Sequence, residues 1–260
     1  MTQTPEGARF DAPARAARIA ARAPWISVVA FVGFWFVCAE RHIIDYLPSP
    51  TAVLFTMGHD WQALLVDALA TSSRAIVGFL IGAPVGVFLA LAMAWRPGIR
   101  DFLDPLVRGL RPVPLLALIP LFILWFGLSE AGRVLFVATG CLFLTVVIAI
   151  EAIHNVPQIY LRSGSSLGAK EFDLYRRVVL PAILPGIFGG TRVALTTSFQ
   201  LAIAAEFLGA QTGLGFYLTQ GAVAYRMSEM IAAVVIVSLL AVAADVAARR
   251  GGGVLMPWVD

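Results

Sequence analysis

Few residues in this chain are of a type that performs chemistry, and their placement rules most of it out. His42, His59 and His154 are scattered, and each reads as an interface or loop residue rather than a metal ligand. Cys38 and Cys141 both fall inside apolar segments and read as small packing residues. The sole lysine, Lys170, stands between Ala169 and Glu171, whereas a P-loop needs Gly-Lys-[Ser/Thr]. The chain therefore has no P-loop lysine to offer ATP. A membrane-embedded enzyme would need His, Asp or Glu clustered at one depth, and the scattered histidines argue against that. No catalytic residue, metal site or cofactor is expected in this chain. What remains is a dense polar stretch, Glu151 to Pro185, carrying Arg162, Lys170, Glu171, Asp173, Arg176 and Arg177 in a mostly apolar surrounding.

That stretch has the grammar of a bent helical hairpin. Pro157 suits a first helical turn, where its missing N–H costs nothing. Gly168 can take the left-handed conformation that stops one helix and starts the next. Phe172, Tyr175 and Val179 recur at helical spacing, with Arg176 and Arg177 on the polar side. Pro181 is expected to stop that second helix, because it cannot donate to residue 177.

The elements that must present the hairpin are membrane spans. The chain has 260 residues, 59% hydrophobic and 13% charged, with mean hydropathy +0.84. Soluble domains carry about 25% charged residues. Ala75 to Trp95 is a run of 21 uncharged residues and Pro112 to Ser129 a run of 18, and roughly 17–25 suffice to cross the hydrocarbon. Six spans are expected, in an all-α polytopic fold. The first starts at Trp25 and reads as an uncleaved span, crowded with aromatics, rather than a secretory signal. The second covers about 71–95 and holds Gly78, Gly82 and Gly86 at four-residue spacing, which lets two helices approach closely. A basic loop with Arg96, Arg100, Arg108 and Arg111 follows. Prolines 112, 114 and 120 kink the third span. The fourth covers about 134–152, the fifth 183–206 and the sixth 229–248. Residues 1–23 form an N-terminal tail, 24–250 the transmembrane domain with its loop at about 155–181, and 251–260 a glycine-led tail. In the N-terminal tail Arg15, Arg18 and Arg22 share one helical face, which suits either lipid headgroups or a disordered segment.

Eighteen of the 19 basic residues are arginine. With the N-terminus inside, fourteen basic residues fall on the inner side and three on the outer. This bias places both termini and the polar hairpin in the cytoplasm, and it reads as membrane orientation rather than nucleic-acid binding.

The hairpin resembles the cytoplasmic coupling loop of permease subunits from binding-protein-dependent ABC importers. Leu167-Gly168-Ala169 and Arg177-Val178-Val179-Leu180-Pro181-Ala182 carry the match. At the usual Glu-Ala-Ala positions stand Arg162, Ser163 and Gly164, so a basic residue replaces the acidic one. The run Arg111 to Gly127 resembles the nitrate/sulfonate/taurine branch. The resemblance implies a type I importer permease fold in the bacterial cytoplasmic membrane. It also implies two copies of an ABC ATPase subunit, a second permease copy in a homodimer, and a periplasmic or lipid-anchored solute-binding protein. Arg162, Ser163, Gly164, Leu167, Gly168, Ala169, Phe172, Leu180 and Pro181 would form the ATPase-coupling loop. Thr197, Gln200 and Glu206 are candidates for the translocation path, with interhelical bonding or a span boundary as the competing roles. Arg192 either snorkels to headgroups or pairs with another helix. The cargo implied is a small anion or zwitterion such as taurine, an alkanesulfonate or nitrate. Alternatives are a thiamine-precursor-like solute and an ion-coupled secondary carrier, although the latter would favour mid-span acids and internal repeats, and neither is apparent.

Overall fold

Helices with small residues on one face pack closely in lipid, because the surrounding tails are as apolar as the side chains and only contact and hydrogen bonds separate the two environments. The computed structural model describes residues 14–207 and 209–255, with side chains undescribed at 14–25, 97, 110, 158 and 253–255. Every element among them is helical. They run α1 (Ala14–Glu40), α2 (Pro50–His59), α3 (Trp61–Trp95), α4 (Pro97–Leu110), a 3₁₀ turn (Leu115–Leu118), α5 (Ile119–Phe126) and α6 (Glu130–His154). Then follow α7 (Gln158–Ser166), α8 (Glu171–Leu174), a π turn (Tyr175–Val179), α9 (Leu180–Glu206), α10 (Leu214–Val223) and α11 (Met227–Leu255).

The centre is α3, α6 and α9. The glycine row of α3 meets α6 of the same chain. A Cβ on Gly82 would lie 2.0 Å from the Ala138 carbonyl oxygen, and one on Gly78 2.6 Å from Val137. The two backbones touch where a side chain would hold them apart. Ala75, Phe136, Val137, Cys141, Phe199 and Ala202 fill the space between the three helices. Cys141 thus packs as expected, its thiol 3.7 Å from the Ala194 carbonyl. Toward the end of the bundle that carries α7 and α8, Ala90, Ala149, Ile183 and Ile187 continue the core.

Four helical stretches are long and apolar enough to cross a membrane: Trp61–Trp95, Glu130–His154, Glu171–Glu206 and Met227–Gly252. The other two expected spans contain the shorter apolar helices Ile26–Glu40 and Leu115–Phe126. Several boundaries differ from the sequence reading. The second span begins ten residues early, at Trp61, so Asp67 lies on it. The basic loop is a helix, α4, opened by Pro97. The third span is broken rather than kinked. Pro112 and Pro114 hold an open turn, Pro114 is extended with ψ 107°, and the helix from Leu115 is too short to cross alone. Pro181 does not stop its helix. Leu180 bonds back five residues to Tyr175, and this widened turn carries the chain past the missing N–H into α9. At the C-terminus α11 runs through the three glycines to Leu255 instead of ending at residue 250. The first 13 residues and the Pro257-Trp258 end lie outside the described residues.

Candidate coupling loop and far-end polar cluster

α7 and α8 form the bent hairpin, capping one end of α3, α6 and α9. Gly168 makes the bend with φ +80° and nothing near its α-carbon, a backbone shape that disfavours any Cβ. Its N–H reaches the Ser165 carbonyl at 3.0 Å, and Ala169 N–H reaches Gly164 O at 3.1 Å, so the end of α7 is closed by backbone bonds. Gly164 lets α7 lie against α8, since a Cβ there would sit 2.3 Å from Leu174 Cδ2. Arg162 and Ser163 face outward on α7, and Leu167 is 87% exposed at the tip. Phe172 is half exposed and its ring lies 6.1 Å from that of Trp95, the last residue of α3. Tyr175 stacks on the same indole at 5.8 Å, and its hydroxyl donates to Leu91 O at 3.3 Å. Leu180 and Pro181 begin α9. The hairpin is thus seated on α3 by aromatic contact and continuous with α9 through the π turn. It leaves Leu167 exposed at its tip and Ile159 and Tyr160 exposed at the start of α7.

At the opposite end the same three helices are tied by charge. Arg74 of α3 is 4% exposed. It donates through Nε and Nη2 to the Glu130 carboxylate of α6 at 2.7 and 2.8 Å, and through Nη1 to Glu206 of α9 at 2.6 Å. Arg74 Nη1 also reaches the Thr212 carbonyl at 2.7 Å. Glu206, 1% exposed, accepts further bonds from Thr71 Oγ1 at 2.9 Å and from Gly215 N–H at 2.8 Å. Asp67 accepts from Gly213 N–H at 2.7 Å, and Leu214 N–H donates to Thr71 Oγ1 at 2.8 Å. Arg133 bridges Glu130 at 2.6 Å and the Gly209 carbonyl at 3.0 Å. The chain from 209 to 215 is therefore clamped to three helices. Gly213, at φ +116°, lies where a Cβ would strike the Glu206 carboxylate at 2.4 Å. Tyr217 of α10 adds a bond from its hydroxyl to Asp60 at 3.0 Å. Burial of the Tyr217 phenol, reinforced by that carboxylate, raises its pKa above a tyrosine's ordinary value.

The three path candidates do not share a surface. Thr197 lines a cavity of about 480 Å³ walled by α4, α6 and α9, with Arg111 paired to Glu151 at its edge. Gln200 lines another, of about 550 Å³, between α9 and α11. Glu206 stands in the buried cluster, its carboxylate occupied by donors from α3 and the 213–215 turn, rather than on a cavity wall. Arg192 pairs with Asp245 of α11 at 2.7 Å, which decides its two expected roles in favour of the partner helix. Sequence reasoning missed the cluster. Its signal was present in Arg74 and Glu206, two opposite charges near the same ends of apolar segments, where each needs a partner.

Residues 82–250 match the family described as binding-protein-dependent transport system inner membrane component. The chain belongs to that family. This permease is 29% identical over 237 residues to the taurine transport system permease protein of Escherichia coli strain K12, covering 86% of this chain and 85% of the relative. It is 33% identical over 244 residues to an E. coli strain K12 protein named for aliphatic sulfonates transport, covering 91% of each. A formylaminopyrimidine transport permease protein of Halalkalibacterium halodurans is 26% identical, covering 90% of this chain and 95% of the relative. In fold it is similar to a chain of the inward-facing MetNI methionine ABC transporter, with TM-score 0.56 and 23% identity over 75% of this chain and 95% of that one. A chain of an amino acid ABC transporter superposes with TM-score 0.59 at 20% identity, with the same coverage. The architecture is that of a type I ABC importer permease, a multi-pass inner-membrane component of a transport system.

Proposed function

We propose that this permease is the passive, membrane-spanning half of an ATP-driven importer for a small anionic or zwitterionic solute. The observation that carries the reading is the α7–α8 hairpin, which presents Leu167 outward while Phe172 and Tyr175 rest on Trp95 of α3. A separate ATPase subunit grips this hairpin from the cytoplasm through Arg162, Ser163, Gly164, Leu167, Gly168, Ala169 and Phe172, and Leu180 and Pro181 pass the motion into α9. Two ATPase copies and two permease copies form the working unit, and an external solute-binding protein delivers cargo. The arginine bias supports both termini and the hairpin lying inside. Relatives named for taurine and aliphatic sulfonates support the solute class. One named for formylaminopyrimidine keeps a thiamine-precursor-like solute as the second reading. Thr197 and Gln200, which line separate cavities on two sides of α9, are each assigned as candidate walls of the solute's route.

The test replaces Gly168 with leucine in the assembled transporter. A Cβ at φ +80° distorts the bend, so ATP hydrolysis should continue while solute uptake falls at least about tenfold, the factor that corresponds to roughly 1.4 kcal/mol. Unchanged uptake at normal expression refutes the coupling role. Labelling of Ser165→Cys only from the external face would refute the orientation.

A further inference from the structure

The α7–α8 hairpin carries charge that its own chain leaves unused. Between Pro157 and Pro181 stand four basic residues, Arg162, Lys170, Arg176 and Arg177, and two acidic ones, Glu171 and Asp173. Arg177 and Asp173 approach each other at 3.6 Å. Arg162, Lys170, Arg176 and Glu171 are exposed, and none of these four side chains forms an ion pair or hydrogen bond among the described residues. Arg162 and Glu171 even line the same groove, with Trp95, Leu174 and Tyr175, and do not pair across it.

Exposure alone does not explain this. At the same end of the bundle Arg108 is 67% exposed and still holds Asp104 at 2.7 Å, and Arg249, 70% exposed, reaches Asp245 at 3.4 Å. Arg111 pairs with Glu151. The hairpin also keeps Leu167 exposed at its bend and Phe172 half exposed, both between Arg162 and Arg176 in the chain. Exposed leucine and phenylalanine side chains bracketed by free charges suit a protein partner, which buries the first and pairs the second. Three free cations against one free carboxylate call for a partner surface of negative sign.

We infer that the ATPase surface receiving this hairpin is acidic and sets a carboxylate against Arg162, which makes Arg162 a determinant of which ATPase the permease accepts. The inference rests on the importer reading and adds to it the chemistry of the partner. An ATPase with a basic residue at that point meets like charge and is rejected. The joint is also sensitive to salt, because exposed charges are screened beyond about 3 Å at 1 M.

The test titrates the permease, held in lipid nanodiscs, with its cognate ABC ATPase subunit and reads affinity at low and high salt. Arg162 is unpaired and is one of fourteen inner basic residues, so reversing its charge leaves fold and orientation intact. At low salt Arg162→Glu should weaken binding at least about tenfold, and Arg162→Lys should stay within about threefold of the unmodified chain. Glu171→Gln, which removes the free carboxylate, should tighten binding. High salt should weaken the unmodified pair and bring it toward Arg162→Glu. Replacing one surface carboxylate of the ATPase by lysine should restore its binding to Arg162→Glu. Affinity of Arg162→Glu within about twofold of the unmodified chain overturns the inference and leaves the importer reading standing, as does an unmodified pair indifferent to salt. An effect of Arg162→Glu confined to nanodiscs of anionic lipid would make the lipid surface the occupant, and overturns it equally. If the unmodified permease binds no ATPase subunit at all, the importer reading fails and takes this inference with it.

Discussion

Removing the charge on Glu206 should cost this protein more than almost any other isosteric change. Three donors converge on the Glu206 carboxylate: Arg74 Nη1 at 2.6 Å, Thr71 Oγ1 at 2.9 Å and Gly215 N–H at 2.8 Å. Glu206→Gln keeps the shape but replaces one acceptor oxygen with an NH₂ group. One of these donors then faces another donor at a side chain that is only 1% exposed. Bonds to a charged partner contribute about 1.5–3 kcal/mol, so one such loss with partial weakening of the others should cost about 2–3 kcal/mol. Arg74 keeps its two-pronged contact with Glu130 in this variant and is not stranded. Arg74→Met is harsher. It leaves Glu206 buried without a cation, and breaking a buried pair in this way costs about 3–5 kcal/mol. At roughly 2–4 °C per kcal/mol for a chain of this size, the expected fall in melting temperature is about 4–12 °C for Glu206→Gln and more for Arg74→Met. Tryptophan-fluorescence melts of the detergent-purified transporter read both values. A Glu206→Gln protein that melts within a degree of the unmodified chain refutes the clamp, and so does an Arg74→Met protein that is the more stable of the two.

Gly82→Ala should destabilise by about 1–3 kcal/mol, because the new Cβ would lie 2.0 Å from a backbone oxygen that cannot swing aside. Gly98→Ala, with nothing within 4 Å, should be neutral or slightly stabilising in the same melt; equal effects would refute the helix contact. Tyr217 gives a pH signature. Its raised folded-state pKa, caused first by burial and then by the Asp60 carboxylate, means that the folded chain holds the phenolic proton where the unfolded chain has released it. Its contribution to stability is complete below the unfolded pKa of about 10 and is lost as pH rises above that value. Tyr217→Phe should flatten the alkaline fall in melting temperature; an unchanged slope refutes the assignment.

The hairpin was legible in the sequence because every decisive feature is local. Gly168 bends because of its own φ, and Leu167 and Phe172 are exposed because the polar stretch lifts them out of the bundle. The glycine row of α3 was legible as a close approach, but not its partner, since spacing on one helix carries no information about the face opposite. Pro181 was misread for a related reason. The rule that proline ends a helix assumes i→i−4 bonding, and the π turn at Tyr175–Val179 evades it. The 3₁₀ turn at Leu115–Leu118 shows the converse, where Pro112 and Pro114 together did more than bend a span. The far-end cluster was the least legible, because Asp67, Arg74, Glu130 and Glu206 meet only after three helices and a loop have assembled.

The two ends of the molecule make sense together. A hairpin moved by a partner transmits work only if the helices it sits on do not absorb the displacement. α3 and α6 approach so closely along the glycine row that they cannot slide without steric conflict at Ala138. At the far end Arg74 joins both to α9, and a buried charge pair resists separation more steeply than apolar contact does, because each charge stranded in a low-dielectric site is expensive. The cluster also holds residues 209–215, so that turn follows the helix ends to which Asp67, Arg133 and Glu206 bond it. By contrast α11 is only lightly covered by the rest of the chain: Val237, Leu240, Ala241 and Ala244 pack against the central core, and one partly exposed ion pair, Arg192–Asp245, joins it to α9. Backbone contact and a buried ion pair therefore join α3, α6 and α9 to one another, whereas α11 is held to them by apolar packing and a partly exposed ion pair.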